Sequence, residues 1–148
     1  MKQQSERLRP VVKMARESEQ TAARELGEAR SCVASAEQKL AELEAYRDEY
    51  LEGLRYKTQT GLNAMQMKDY RVFLGRLNEA IQQQGMVLAG LAGTAGVAQQ
   101  TWQSEKQRLD ALDKLTDRQL RQERVDTDRR EQAESNEQAL RNWRRVPG

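Results

Sequence analysis

The sequence predicts an all-α protein: a long antiparallel two-helix coiled-coil hairpin with a charged C-terminal extension. Three observations carry this reading. Apolar residues recur in alternating steps of four and three along two long runs. The two runs hold the same number of stripe positions and flank a short segment rich in turn chemistry. The composition is 37% apolar and 32% charged over 148 residues, against about 45–50% and 25% in an ordinary globular domain. That mix cannot fill a thick core, but it suits helices that bury one narrow stripe. The length suits a single domain.

The first helix is expected over about residues 5–58. Its stripe is Leu8, Val12, Ala15, Glu19, Ala22, Leu26, Ala29, Val33, Ala36, Leu40, Leu43, Arg47, Tyr50 and Leu54. Only Glu19 and Arg47 break it, and Glu, Arg, Gln, Ser and Lys fill the positions between. A 3.5-residue repeat held over six heptads is a strong coiled-coil signal. At 1.5 Å per residue such a helix is roughly 70 Å long. Proline occurs only at Pro10 and Pro147, so the long interior has no breaker of that kind.

The pattern fails in "KTQTGLNAMQM", and the turn is expected at about 59–65. Gly61 and Asn63 supply turn chemistry, and Thr58 and Thr60 favour caps. The second helix is expected over about 66–120. Its stripe is Tyr70, Leu74, Leu77, Ile81, Gln84, Leu88, Leu91, Ala95, Ala98, Trp102, Glu105, Leu109, Leu112 and Thr116. Folding this run back pairs residues whose numbers sum to about 124. Leu43 then meets Ile81, Ala22 meets Trp102, and Ala15 meets Leu109, so that large residues face small ones. The same register sets Glu19 against Glu105, which is unfavourable and points to a local opening or a shift of a residue or two.

Four glycines in "GMVLAGLAGTAG" weaken the second helix, at roughly 0.8–1 kcal/mol each. Two readings follow: a continuous helix that approaches the small residues of "ARSCVASA" closely, or a break and a third helix. Beyond residue 116 nothing of the first helix is expected to remain for pairing. In the extension, residues 121–148, the stretch 121–145 mixes Arg with Glu and Asp and has few large apolar residues: Val125, Leu140 and Trp143. It reads as a helix projecting past the hairpin, frayed or disordered at its end.

Several function classes lose support. The net charge is +2, with 25 basic and 23 acidic residues interleaved, so no basic face invites nucleic acid. The chain has no His, which removes the commonest general base and metal ligand. Cys32 is the only cysteine, so no intrachain disulfide forms and no His activates it as a nucleophile. Carboxylate pairs such as Asp48 and Glu49 lie on a solvated helix surface, without a pocket to split their pKa values. A two-helix hairpin offers no concave site of ligand size. The reading is a protein that is not an enzyme, with no catalytic residue, cofactor or metal. No apolar stretch is long enough to span a membrane. The polar start "MKQQSERLRP" carries no secretory signal, and the expected setting is intracellular.

Five of the seven aromatic residues fall between positions 46 and 73: Tyr46, Tyr50, Tyr56, Tyr70 and Phe73. In the folded-back register Tyr46, Tyr50, Phe73 and Leu77 converge near the turn. Tyr50 and Leu77 can join the stripe, while Tyr46 and Phe73 flank it. Rings there can shield the seam where Arg47 interrupts it. A two-stranded seam cannot bury all of them, however, and partly exposed aromatics on a rigid helix are what partner surfaces use as anchors.

These residues carry a resemblance. "RLRPVVKMARESEQTAARELGEA", "AEQKLAELEAYRDEYLEGL", "GLNAMQMKDYRVFLGRLNEAIQQQ" and "TWQSEKQRLDALDKL" together resemble the FliJ family of flagellar type III export proteins. The specific part is the Tyr-x-x-x-Tyr before the turn and the Tyr-x-x-Phe-Leu-x-x-Leu after it. The resemblance implies an antiparallel coiled coil similar to the stalk of rotary ATPases. It implies association with the hexameric flagellar export ATPase, whose assembly and activity the family promotes. It also implies contact with the cytoplasmic domain of the export-gate membrane protein, cycling of export chaperones, and a cytoplasmic location peripheral to the inner membrane. By position, Leu43, Tyr46, Tyr50, Phe73, Leu77 and Ala80 match the family's export-gate contact surface; Lys39 and Gln84 at its border are less typical. Residues 8–22 and 102–120 match the part that enters the ATPase ring. Two alternatives stay open: the stalk protein of a virulence secretion injectisome, and a generic structural coiled coil.

Overall fold

Helix α1 runs from Gln4 to Thr60 and helix α2 from Ala64 to Arg145. In this computed structural model, which describes residues 3–145, the two pack against each other as a hairpin, with no strand among the described residues. Pro10 lies inside α1, where its missing N–H forgoes one helical bond. Residues 146–148 of the expected extension lie outside the described residues.

The turn is only three residues long, because each side of it is locally terminated. Gly61 ends α1 with φ of 105°, a conformation that glycine adopts without steric cost. Asn63 opens α2 through a reciprocal cap. Its Oδ1 accepts the Gln66 N–H at 2.8 Å, and the Gln66 Oε1 accepts the Asn63 N–H at 3.2 Å. The threonines do not cap. Thr58 donates its hydroxyl to the Leu54 carbonyl at 2.7 Å, and Thr60 to that of Lys57 at 3.1 Å. Both thus extend α1 by bonding back along it.

The burial pattern follows the stripe. All fourteen positions expected on α1, and all fourteen on α2, are buried or half-buried. Alternating steps of four and three keep a residue on one face of a helix, so two such faces exclude water only from each other. The core is accordingly one side chain thick.

The chain divides into two compact units. The first, Ala22–Trp102, contains the turn. Its buried residues include Ala22, Leu26, Ala36 and Leu77. Gln84 is also buried, and its Nε2 donates to the Ala36 carbonyl at 3.2 Å. A buried amide satisfied across the seam favours one register over others. The glycine-rich stretch is continuous helix. A Cβ at Gly85, Gly90, Gly93 or Gly96 would meet nothing within 4 Å, so these glycines do not mediate the expected close approach. They stand beside the stripe, not on it.

The second unit comprises the residues up to Thr21 and those from Gln103 on. Ala15 and Leu109 are buried in it. Its helix pairing extends past residue 116, contrary to expectation. Gln119, Glu123 and Asp126 are half-buried, and Ser5 is buried. Ser5 donates its backbone N–H to Glu123 Oε1 at 3.0 Å and its hydroxyl to Oε2 at 2.6 Å. These seam residues are polar, so hydropathy could not reveal them. Glu19 and Glu105 are half-buried, and the Oε2 of Glu105 is shielded from water without a hydrogen-bond partner. Ser5 pairs with Glu123 and Arg16 with Asp113, whose numbers sum to 128 and 129, so the register in this unit is shifted from the expected 124 and these contacts do not set Glu19 against Glu105. The end of α2 also differs from the frayed segment expected: it stays helical to Arg145 although residues 127–145 are all exposed. Contacts four residues apart support it, such as Gln132 with Asn136 at 3.1 Å and Arg141 with Glu137 at 3.6 Å.

Candidate functional site: an aromatic cluster beside the turn

Tyr46 and Tyr50 are four residues apart on α1, and Tyr70 and Phe73 are three apart on α2. These spacings place each pair on one helix face. The hairpin then brings the two pairs together within the turn-containing unit. The Tyr50 ring lies 4.5 Å from that of Phe73 and 4.9 Å from that of Tyr70, centroid to centroid. Tyr46 meets Phe73 edge-on at 6.1 Å and 75°. Offset and edge-to-face arrangements of this kind are favourable beyond simple burial.

The six residues expected to form a contact surface divide by exposure. Tyr46 is half exposed, at 50%. Leu43, Tyr50, Phe73 and Ala80 are partly buried. Leu77, at 7%, is buried in the seam. At the border, Gln84 is turned inward onto Ala36, while Lys39 is exposed. Tyr56 belongs to the aromatic concentration in the sequence but is 69% exposed.

Sequence reasoning did not assign Tyr70 and Lys57 to this site. Tyr70, expected on the stripe and among the concentrated aromatics, packs its ring on that of Tyr50. The Lys57 Nζ sits 5.4 Å from the centroid of the Tyr70 ring, within cation–π range. The three-residue step from Tyr70 to Phe73 was the available signal. Lys57 lay inside the segment where the pattern fails, and nothing in its spacing marked it.

The electrostatics fix the charge states. Burial, and then the neighbouring Tyr70, raise the Tyr50 pKa above its ordinary value, so Tyr50 stays neutral at pH 7. The hydrogen bond with the Tyr70 side chain raises the Lys57 pKa, so Lys57 stays charged. The cluster is an apolar, aromatic surface with phenol hydroxyls and one cation at its edge. It can pack against a partner's side chains and accept or donate single hydrogen bonds. Among the described residues no group of acidic or Cys side chains is placed to hold a metal ion. No described helix is long and apolar enough to cross a membrane.

No curated protein matches the sequence. The profile of the flagellar FliJ protein family matches residues 3–148. That span includes both stripes, the turn and the aromatic cluster, so the agreement is not confined to heptads that unrelated coiled coils share. The chain belongs to the flagellar FliJ protein family, and with it to the components of the flagellar type III export apparatus.

Proposed function

We propose that the hairpin is a stalk that binds the hexameric flagellar export ATPase, promotes its active assembly, and links it to the export gate and to export chaperones. The partner performs the catalysis. The hairpin shifts the partner's population by binding its active assembly better than the inactive one. The aromatic cluster, with Leu43, Tyr46, Tyr50, Phe73, Leu77 and Ala80, is the surface for the cytoplasmic domain of the export-gate membrane protein. Such contacts put the protein at the cytoplasmic face of the inner membrane, held there by its partners.

One observation carries the gate contact: Tyr46 stays half exposed while its ring is held edge-on by Phe73. An aromatic ring already fixed by packing loses little conformational freedom when a partner covers it. Exposed, ordered aromatics of this kind are the usual anchors of an interface.

The test separates the two contacts. ATP hydrolysis by the export ATPase is titrated with the chain, and gate binding is measured in parallel. The expected rate rises and saturates below one chain per ATPase subunit. Tyr46→Ala is expected to weaken gate binding and leave the stimulation unchanged, since this ring is the most exposed of the cluster. An unaltered hydrolysis rate with no complex formed refutes the stalk reading. Undiminished gate binding by both Tyr46→Ala and Phe73→Ala refutes the assignment of the surface.

A further inference from the structure

Lys57 and four aromatic rings form one unbroken file of contacts. Lys57 stands in the last turn of α1, with its Nζ 5.4 Å from the centroid of the Tyr70 ring. Tyr70 then lies 4.9 Å from Tyr50, Tyr50 4.5 Å from Phe73, and Phe73 6.1 Å from Tyr46, centroid to centroid. The file crosses from one helix to the other at every step and stays within the turn-containing unit. It ends on Tyr46, the most exposed of its rings.

Tyr46, Tyr50 and Phe73 belong to the surface assigned to the export gate. Tyr70 and Lys57 do not. Among the described residues the one ring that meets Tyr46 is Phe73, Phe73 otherwise meets Tyr50, and Tyr50 meets Tyr70. The pose of a half-exposed ring is set by the few neighbours it has. A ring free to change its pose loses more freedom when a partner covers it, and binding weakens accordingly.

We propose that Tyr70 and Lys57 are positioning residues for the gate contact: they hold Tyr50 against Phe73 from the turn end of the file, and through Phe73 they fix Tyr46 in the pose that the partner covers. The inference rests on the reading of the cluster as the gate surface. The Tyr70 ring supplies the stack, since paired rings attract beyond the area they bury. Lys57 steadies that ring by sitting over it as a cation. Neither residue acts by touching the partner, so their effect on binding passes through Tyr46.

The test is a double-mutant cycle on affinity for the cytoplasmic domain of the export-gate protein. Tyr70→Leu is expected to weaken binding about fivefold, and Lys57→Met about twofold. Tyr70→Phe keeps the ring and is expected to bind as the parent chain does. In a Tyr46→Ala chain, neither Tyr70→Leu nor Lys57→Met is expected to cause a further loss. Lys57→Met removes only an exposed charge, so the cycle can be completed even where Tyr70→Leu loosens the turn. The free chain gives an independent readout. Phe73 is the only phenylalanine, and its ring NMR signals are expected to move in Tyr70→Leu as Tyr50 shifts. Losses that add in the double variants overturn the proposal, because Tyr70 and Lys57 would then meet the partner directly. Parent-like affinity in both Tyr70→Leu and Lys57→Met overturns it too, as does a Tyr70→Phe chain as weak as Tyr70→Leu. Unmoved Phe73 signals in Tyr70→Leu refute the file of rings without bearing on the gate. Undiminished binding by both Tyr46→Ala and Phe73→Ala instead refutes the gate surface on which the proposal rests.

Discussion

Leu77 and Ser5 each lie on the seam of one of the two units, and both are buried, at 7% and 8%. In the unit of Leu77 the buried apolar residues include Ala22, Leu26 and Ala36. Around Ser5 the seam is closed by a hydroxyl and a backbone N–H on a carboxylate. The spacing is the same, so the backbone geometry is the same. Only the means of excluding or replacing water differs. The comparison teaches that a heptad fixes which residues face the partner helix and leaves open what holds them there. Apolar closure derives from area removed from water and is insensitive to pH. Polar closure depends on each donor finding its acceptor and on the ionisation state of the acceptor.

The sharpest way to break the contrast is to remove apolar volume from the turn-containing unit. Leu77→Ala deletes a buried side chain of the seam, and such deletions cost about 2–5 kcal/mol. A loss of that order is expected in thermal or denaturant unfolding, with Tyr50 fluorescence following the same transition. A loss well under 1 kcal/mol would mean that the seam collapses around the gap, and that the rings alone hold the two helices together.

A second substitution, in the terminal unit, probes the opposite chemistry. Glu105 keeps one shielded carboxylate oxygen without a hydrogen-bond partner. Leaving such a group unsatisfied costs on the order of 1–3 kcal/mol. Glu105→Leu restores the apolar stripe and is expected to stabilise the fold by about 1 kcal/mol, a partial gain because the residue is only half-buried. A drop in melting temperature would show that polar closure is preferred at that layer too.

The glycine-rich stretch separates backbone cost from seam chemistry. At Gly93 a Cβ would meet nothing within 4 Å, and the residue is an exposed part of α2. Gly93→Ala is therefore expected to stabilise by about 0.8–1 kcal/mol. The measurement is the unfolding midpoint in urea at constant slope. A destabilised variant would mean that the helices approach more closely there than the open surroundings of Gly93 allow.

Much of this was legible before any coordinates. The twenty-eight stripe positions could be read because 3.5-residue spacing leaves little freedom over eight turns or more, and all are at least half-buried. The convergence of Tyr46, Tyr50 and Phe73 followed from the same register. The seam beyond Thr116 was not legible. Ser5, Gln119, Glu123 and Asp126 are polar, and hydrophobic periodicity has no signal where the buried residues are hydrogen-bonded. The turn shrank to three residues because Thr58 and Thr60 bond back to α1, a choice that composition does not reveal. In the candidate site, Tyr70 is expected on the stripe and among the concentrated aromatics, but spacing alone does not show that its ring meets that of Tyr50. Leu77 is expected on the stripe, and it is buried there.

The smallest effect is the most diagnostic of polar closure, and it is a matter of pH. The Glu123 carboxyl titrates below its ordinary value of 4.5, chiefly because the Ser5 hydroxyl donates to it, then because the Ser5 N–H does; desolvation acts the other way. A depressed folded pKa means that the proton binds more weakly to the folded state. The contribution to stability is therefore complete above the unfolded-state pKa and is lost as pH falls through the folded value. In Ser5→Ala the backbone N–H remains and only the hydroxyl is removed, so the Glu123 pKa should rise part of the way back. Carbon-13 chemical shifts of the Glu123 carboxyl, followed from neutral to acid pH, would report it. Amide exchange at residues 5–7 should quicken on acidification in the parent chain, and the acceleration should begin at higher pH in the variant. An unshifted Glu123 titration in Ser5→Ala would mean that the hydroxyl does not hold the carboxylate in solution. The terminal seam would then close by backbone donation alone. With both effects observed, the two units share a geometry but differ in what can undo them: lost volume in one, a proton in the other.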